Sequence, residues 1–204
     1  MEVQLDHAAF PQNIPLPLYE AVQIGKAVVN DEVFIMHIGL DKNIVAQLKA
    51  HSLDMSDISL QENTSDFKRF GEGSYEQWYA KNRVPFALIH EATGVLAALI
   101  WYGPKQLGRK SLKHLSEVEL KTEHTVESGE WHTIVQRSYL PFRGKGLMSG
   151  FAKATMEVYQ EYFPEARLWA GINRTNEASV ALATKLGFTM DEAGSDASWV
   201  LMVK

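Results

Sequence analysis

Between Gly146 and Phe163 the chain places Leu147, Phe151, Ala154, Val158 and Tyr162 at steps of three or four. That spacing predicts a helix with one apolar stripe, stopped by Pro164. A second helix is predicted from Asn176 to Leu186, with Asn176 as its N-cap and Gly187 as its terminator. Earlier in the chain Asp41 stands as an N-cap before Ile44, Val45 and Leu48, one buried stripe running to about Leu53. A short helix over Ser74 to Lys81 would bring Tyr75, Trp78 and Tyr79 to one side. Apolar runs predict strands near Val33–Leu40, Val84–His90, Val95–Trp101, Trp131–Leu140, Arg167–Asn173 and Ser198–Val203. Glu91-Ala92-Thr93-Gly94 reads as a hairpin turn, and Pro141 ends the strand before it. Residues 1–30, with Pro11, Pro15 and Pro17, read as an irregular lead-in. Asp54 to Gly73 reads as polar and turn-rich, and residues 104–129 as a long charged connection. There is no internal repeat and no low-complexity tract.

Composition narrows the class. A chain of 204 residues, 46% of them apolar, can bury one core, so residues 1–204 are expected to form a single domain. No apolar run approaches the roughly 18 residues of a membrane span. Met1 to Asn13 has no basic stretch of the secretory kind. Cysteine is absent, which removes disulfides, thiolate nucleophiles and cysteine-bound metals together. These features predict a soluble cytoplasmic protein with no membrane partner.

A net charge of −5 argues against general nucleic-acid binding. The charge is unevenly spread, however. Trp131 to Met156 holds no Asp or Glu but does hold Arg137, Arg143, Lys145 and Lys153. A short basic island in an acidic protein suits a bound polyphosphate better than a long polyanion.

The island contains a strand, then Arg143-Gly144-Lys145-Gly146, then the long helix. A helix start leaves backbone N–H groups unpaired and carries partial positive charge. Glycines let an anion approach that backbone closely. This is the chemistry of a phosphate cradle. It is not a Walker loop, because Gly144-Lys145 is not followed by Ser or Thr; in Gly103 to Ser111, Arg109 and Lys110 take the Lys and Ser/Thr positions. A dinucleotide fingerprint fails as well, with Ser149 where its third glycine would stand.

In these residues the chain resembles the GNAT superfamily of N-acetyltransferases. Arg143-Gly144-Lys145-Gly146-Leu147-Met148 follows that family's pyrophosphate motif, Gln/Arg-x-x-Gly-x-Gly/Ala, except at Met148. About thirty residues on, Leu168 to Asn176 and then Asn176-x-x-Ser179 through Lys185-Leu186-Gly187-Phe188 resemble a second family block. The resemblance extends from about Val84 to Lys204. It implies an α/β fold, a twisted mixed sheet flanked by helices, in which two neighbouring parallel strands splay apart. Here those would be the strands ending at Leu140 and Asn173.

The resemblance also implies acetyl-coenzyme A as co-substrate, with its diphosphate on Arg143 to Met148. Gln136, Arg137 and Ser138 would pair with the pantetheine arm, and Asn176 and Ser179 would contribute beyond it. The acceptor would be a small-molecule amine or a peptide N-terminus, attacking the thioester directly. The oligomeric state is open, a homodimer included. Glu130 and His132, two residues apart at the start of the cofactor strand, are the candidate bases. Two family features are absent: Ala183 stands where many members carry a tyrosine acid, and Gly171 where the ribosomal-protein alanine acetyltransferases carry a glutamate. Tyr139 is a further candidate acid.

The acceptor is expected near Asp54 to Ser74 and residues 104–129, where Lys105, Arg109, Lys110, Lys113 and Lys121 alternate with Glu117, Glu119, Glu123 and Glu127. Trp78, Trp101 and Trp131 are candidates for an acceptor pocket, though core packing suits them better. No histidine pair has metal-ligand spacing, so no metal is expected. Two other readings remain: a regulatory domain that binds coenzyme A without turnover, and an aminoacyl-tRNA-dependent relative, which should show a broad basic surface.

Overall fold

The computed structural model describes residues 1–109 and 129–204. Its strands are β1 (Glu2–Leu5), β2 (Ala21–Val29), β3 (Glu32–Gly39), β4 (Val84–His90), β5 (Val95–Pro104), β6 (Trp131–Ser138), β7 (Arg167–Asn173), β8 (Thr189–Asp191) and β9 (Trp199–Val203). The α-helices are α1 (Lys42–Leu53), α2 (Ile58–Asn63), α3 (Tyr75–Tyr79), α4 (Leu147–Tyr162) and α5 (Glu177–Lys185). A 3-10 turn lies at His7–Ala9 and a π-helical turn at Phe67–Gly71. Among the described residues the strands form one mixed sheet in the order β1-β2-β3-β4-β5-β6-β7-β9-β8. β6 and β7 run parallel; β1 to β5 pair antiparallel in succession, as do β7 with β9 and β9 with β8. This is the mixed α/β class that the sequence implied.

The chain divides into two compact units. One comprises Met1–Leu48, Val84–Tyr102 and Val135–Glu165; the other comprises Lys49–Arg83, Gly103–Ile134 and Ala166–Lys204.

In the first unit β2 and β3 are joined by Asn30 and Asp31, at φ 48° and 64°. Both residue types tolerate this left-handed region, and two such residues make a tight hairpin turn. β3 buries Phe34, Met36 and Ile38 in alternation. β4 and β5 are buried almost without interruption, as strands covered on both faces are. Helix α4 packs its apolar side here. Tyr159 stacks on Tyr102 with ring centroids 4.4 Å apart, and the Tyr102 hydroxyl lies 3.0 Å from Thr155 Oγ1. Complete burial pushes the Tyr102 hydroxyl far above its ordinary pKa.

The lead-in expected to be irregular over residues 1–30 is so only between its two strands: β1 and β2 both lie within it. Pro11, Pro15 and Pro17 fall between these strands, where a missing N–H costs no ladder bond. In β2 a register irregularity between Gln23 and Gly25 interrupts the apolar alternation and hides it from a period-2 search. β1 takes its place against α4, where a Cβ on Gly150 would come within 3.1 Å of the Met1 side chain.

The second unit has β7 at its centre. Trp169, Trp199 and Leu201 form a buried cluster, and Trp169 Nε1 donates to the Lys105 carbonyl at 3.0 Å. The expected polar stretch from Asp54 to Gly73 contains α2, begun by Asp57, whose carboxylate accepts from the Leu60 amide at 3.0 Å. It also contains the π-turn, beside which buried Asp66 pairs with Arg69 at 2.6 Å. β8, three residues long, was not expected either. Tyr75, Trp78 and Tyr79 do share a buried cluster on α3, so Trp78 is a core residue. Of the charged connection, Lys105 and Arg109 are described; Lys110, Lys113, Glu117, Glu119, Lys121, Glu123 and Glu127 lie outside the described residues.

Candidate active site

The turn from Tyr139 to α4 is built by three backbone bonds: the Phe142 and Arg143 amides to the Tyr139 carbonyl at 2.9 and 3.0 Å, and the Lys145 amide to the Phe142 carbonyl at 3.3 Å. Phe142 anchors it, edge-on to Phe34 with centroids 5.6 Å apart. Gly144 and Gly146 adopt φ of +83° and +80°, a region costly for any residue with a Cβ. At both, a Cβ would meet no atom within 4 Å, so the turn is open on the side where these hydrogens point. Gly146 is the N-cap of α4 and supplies no side-chain cap to the first-turn amides. An open, double-glycine turn ahead of uncapped amides at the start of a 16-residue helix fits a diphosphate.

The two basic side chains of this turn are both engaged by the protein. Arg143 folds back onto the Ser138 carbonyl through Nε and Nη2 at 3.2 and 2.9 Å. Lys145 Nζ reaches both oxygens of Glu32, at 3.2 and 3.0 Å. Arg137 donates to the Gln136 carbonyl at 2.8 Å and lies over the Trp101 ring at 4.9 Å; Trp101 itself is buried. The carbonyls of Gln136 and Ser138 therefore accept bonds from arginines before any cofactor pairs with them. Met148 is half-buried at the start of α4.

The parallel ladder between β6 and β7 runs Trp131↔Arg167, His132↔Leu168 and Thr133↔Trp169. β7 continues to Asn173, paired with β9 from Trp169 onward. Beyond it Asn176 caps α5, its Oδ1 accepting from the Ser179 amide at 3.2 Å. That bond accounts for the asparagine as a helix cap and uses only the backbone of Ser179.

The two candidate bases occupy different environments. Glu130 precedes β6, is 62% exposed at its side chain and pairs with Arg167 at 3.5 Å. Arg167 also covers the Trp131 ring at 3.9 Å. His132 is buried, with Nε2 3.1 Å from the Gly129 carbonyl. Burial holds its pKa below the usual histidine value, nearby Arg83 adds to the lowering, and the Gly129 carbonyl opposes it. His132 is thus a neutral imidazole at pH 7. Tyr139 is fully buried.

The structure accounts for one of the two missing family groups. A Cβ on Gly171 would lie 1.9 Å from Cζ2 of Trp199, so the indole occupies the space a glutamate would need. Ala183 is buried in α5. Among the described residues no group of three or more His, Asp or Glu is arranged to hold a metal, and no helix is long and apolar enough to cross a membrane.

The mixed sheet, its parallel β6–β7 pair and the glycine turn opening the helix after β6 are features that the GNAT resemblance implies. The chain belongs to the GNAT acetyltransferase family: the model described as "Acetyltransferase (GNAT) domain" matches residues 49–189. No curated protein matches the sequence. Among solved structures the chain is similar to the GNAT domain of S. lividans PAT, at TM-score 0.60 and 14% identity, covering 88% of this chain and 94% of that one. It is also similar to a GNAT-family acetyltransferase from Listeria monocytogenes (TM-score 0.58, 14% identity, 88% and 98% covered). A third similar structure is an acetyltransferase from Agrobacterium tumefaciens (TM-score 0.57, 13% identity, 96% and 99% covered). At such identities these structures speak to the fold alone.

Proposed function

We propose that this enzyme transfers an acetyl group from acetyl-coenzyme A to a primary amine by direct attack, without a covalent enzyme intermediate. The observation that carries the proposal is the open cradle at Gly144 and Gly146, whose left-handed turn leads into the uncapped amides of α4. Bound there, acetyl-coenzyme A supplies the thioester. The amides of Gly146, Leu147 and Met148 would hold its diphosphate, with Arg143 and Lys145 adding charge. The backbone of Gln136, Arg137 and Ser138 would line the pantetheine arm, and Asn176 and Ser179 would flank it. To pair there, the arm must share or displace the bond from Arg143 to the Ser138 carbonyl.

Of the candidate bases His132 is the better placed chemically. It is neutral at pH 7 and can take a proton from the incoming ammonium, directly or through water. Glu130 is exposed and paired with Arg167, the arrangement of a surface ion pair. The acceptor is a small-molecule amine or a peptide N-terminus, met by the segment that holds α2 and the π-turn. A cytoplasmic location fits this substrate pair.

The absence of a tyrosine at Ala183 and the closure of Gly171 by Trp199 favour a second reading, a coenzyme A-binding domain without turnover. Incubation with acetyl-coenzyme A and a panel of amines, polyamines and peptides, with free thiol monitored, decides between them. Acceptor-dependent thiol release is the expected result. Tight cofactor binding with no release from any acceptor would establish the second reading.

A further inference from the structure

Of the cradle's basic side chains, Lys145 is held by a carboxylate: its ammonium pairs with Glu32. That carboxylate is not a loose surface group. Glu32 is the first residue of β3, its backbone paired with Val29 directly after the Asn30-Asp31 turn. Its Oε1 lies 3.9 Å from His90 Nε2, and His90 is itself fixed by Thr93 Oγ1 at 2.8 Å from Nδ1. Rings of Phe34, His90 and Phe142 pack together at 5.1 to 5.6 Å beneath this group, and Lys145 Nζ sits 5.1 Å from the Phe142 ring. The hairpin tip thus presents a fixed negative charge to the cradle's lysine. Nothing in the basic island between Trp131 and Met156 announces it, because Glu32 lies more than a hundred residues earlier.

We infer that Glu32 sets the cofactor affinity of the cradle, by engaging the Lys145 ammonium that a bound phosphate would otherwise recruit. The inference rests on the proposed diphosphate site. For a phosphate to gain Lys145 it must break or share a two-oxygen ion pair, and it must tolerate the carboxylate nearby. Both effects lower affinity, and both vanish when the carboxylate becomes an amide of equal size. Product release benefits from such a restraint, since free coenzyme A carries the same diphosphate.

Calorimetric titration of coenzyme A into the full chain tests this, with the wild type, Glu32→Gln, Lys145→Gln and the double variant at several salt concentrations. Glu32→Gln is expected to bind about two- to fivefold more tightly, the scale of a partly exposed pair. The gain should shrink as salt rises and be largely lost in the Lys145→Gln background. Unchanged or weaker binding by Glu32→Gln, or an equal gain without Lys145, would overturn the inference while leaving the cradle intact. Failure of the folded wild type to bind coenzyme A would defeat the proposed function, and this inference with it.

Discussion

The φ of +80° at Gly146 disfavours every residue with a Cβ, yet the space beside it is empty. Gly146→Ala should therefore cost about 1 kcal/mol in stability from backbone strain alone. Gly146→Asp adds a negative charge at the phosphate position and should weaken coenzyme A binding more than tenfold, about 1.4 kcal/mol. Calorimetry on both variants, with melting curves to show that they fold, separates strain from charge; equal affinities for Asp and Ala would argue against an anion at this turn. Glu130 and His132 are told apart by their pH–rate profiles. His132→Gln should remove the lower limb of kcat/KM, whereas Glu130→Gln should leave it nearly unchanged. The cradle glycines, the asparagine cap and both candidate bases were legible as residues. Their surroundings were not, because an ion pair between Glu130 and Arg167 joins positions far apart in the chain.

The longer helices follow from periodicity because their signals are local, whereas the short α2 falls in the stretch that reads as polar and turn-rich. α4 spans Leu147–Tyr162 against an expected Gly146 to Phe163, and α5 spans Glu177–Lys185 behind its Asn176 cap. Phe151 lies at the centre of the α4 stripe and is fully buried; Phe151→Ala should cost about 3–5 kcal/mol in chemical denaturation. β4 and β7 were also read to the residue. Strands β1, β2 and β8 were missed for a physical reason: short or bulged strands gain their stability from partners across the sheet and not from their own pattern. β7 shows the same dependence in packing. Trp199 of β9 fills the space over Gly171, so Gly171→Ala should lower stability by about 1–3 kcal/mol. Shortening the indole as well, in Gly171→Ala/Trp199→Leu, should recover part of that loss in thermal melts. A variant Gly171→Ala as stable as the wild type would show that the indole swings aside freely.

At the scale of the whole molecule, burial of neutral histidines ties folding to pH. Burial lowers the pKa of both His37 and His132 from 6.5. Below pH 6.5 the unfolded chain therefore takes up protons at these positions while the folded chain resists, and stability falls as pH drops toward the folded values. Urea melts from pH 7.5 to 5 should show that decline, and His37→Gln and His132→Gln should each flatten it; a stability independent of pH across this window would contradict the burial of these rings. Local pattern alone is enough for the helix-opening glycine turn, for the family, and for the order of helices and strands from Val84 onward apart from β8, since each depends on neighbours a few residues apart. It takes the folded chain to show that Lys145 meets Glu32, that His132 is buried while Glu130 faces water, and that Trp199 closes Gly171. These are contacts between strands and turns distant in the chain, where charge and volume act through space and leave no periodic trace along it.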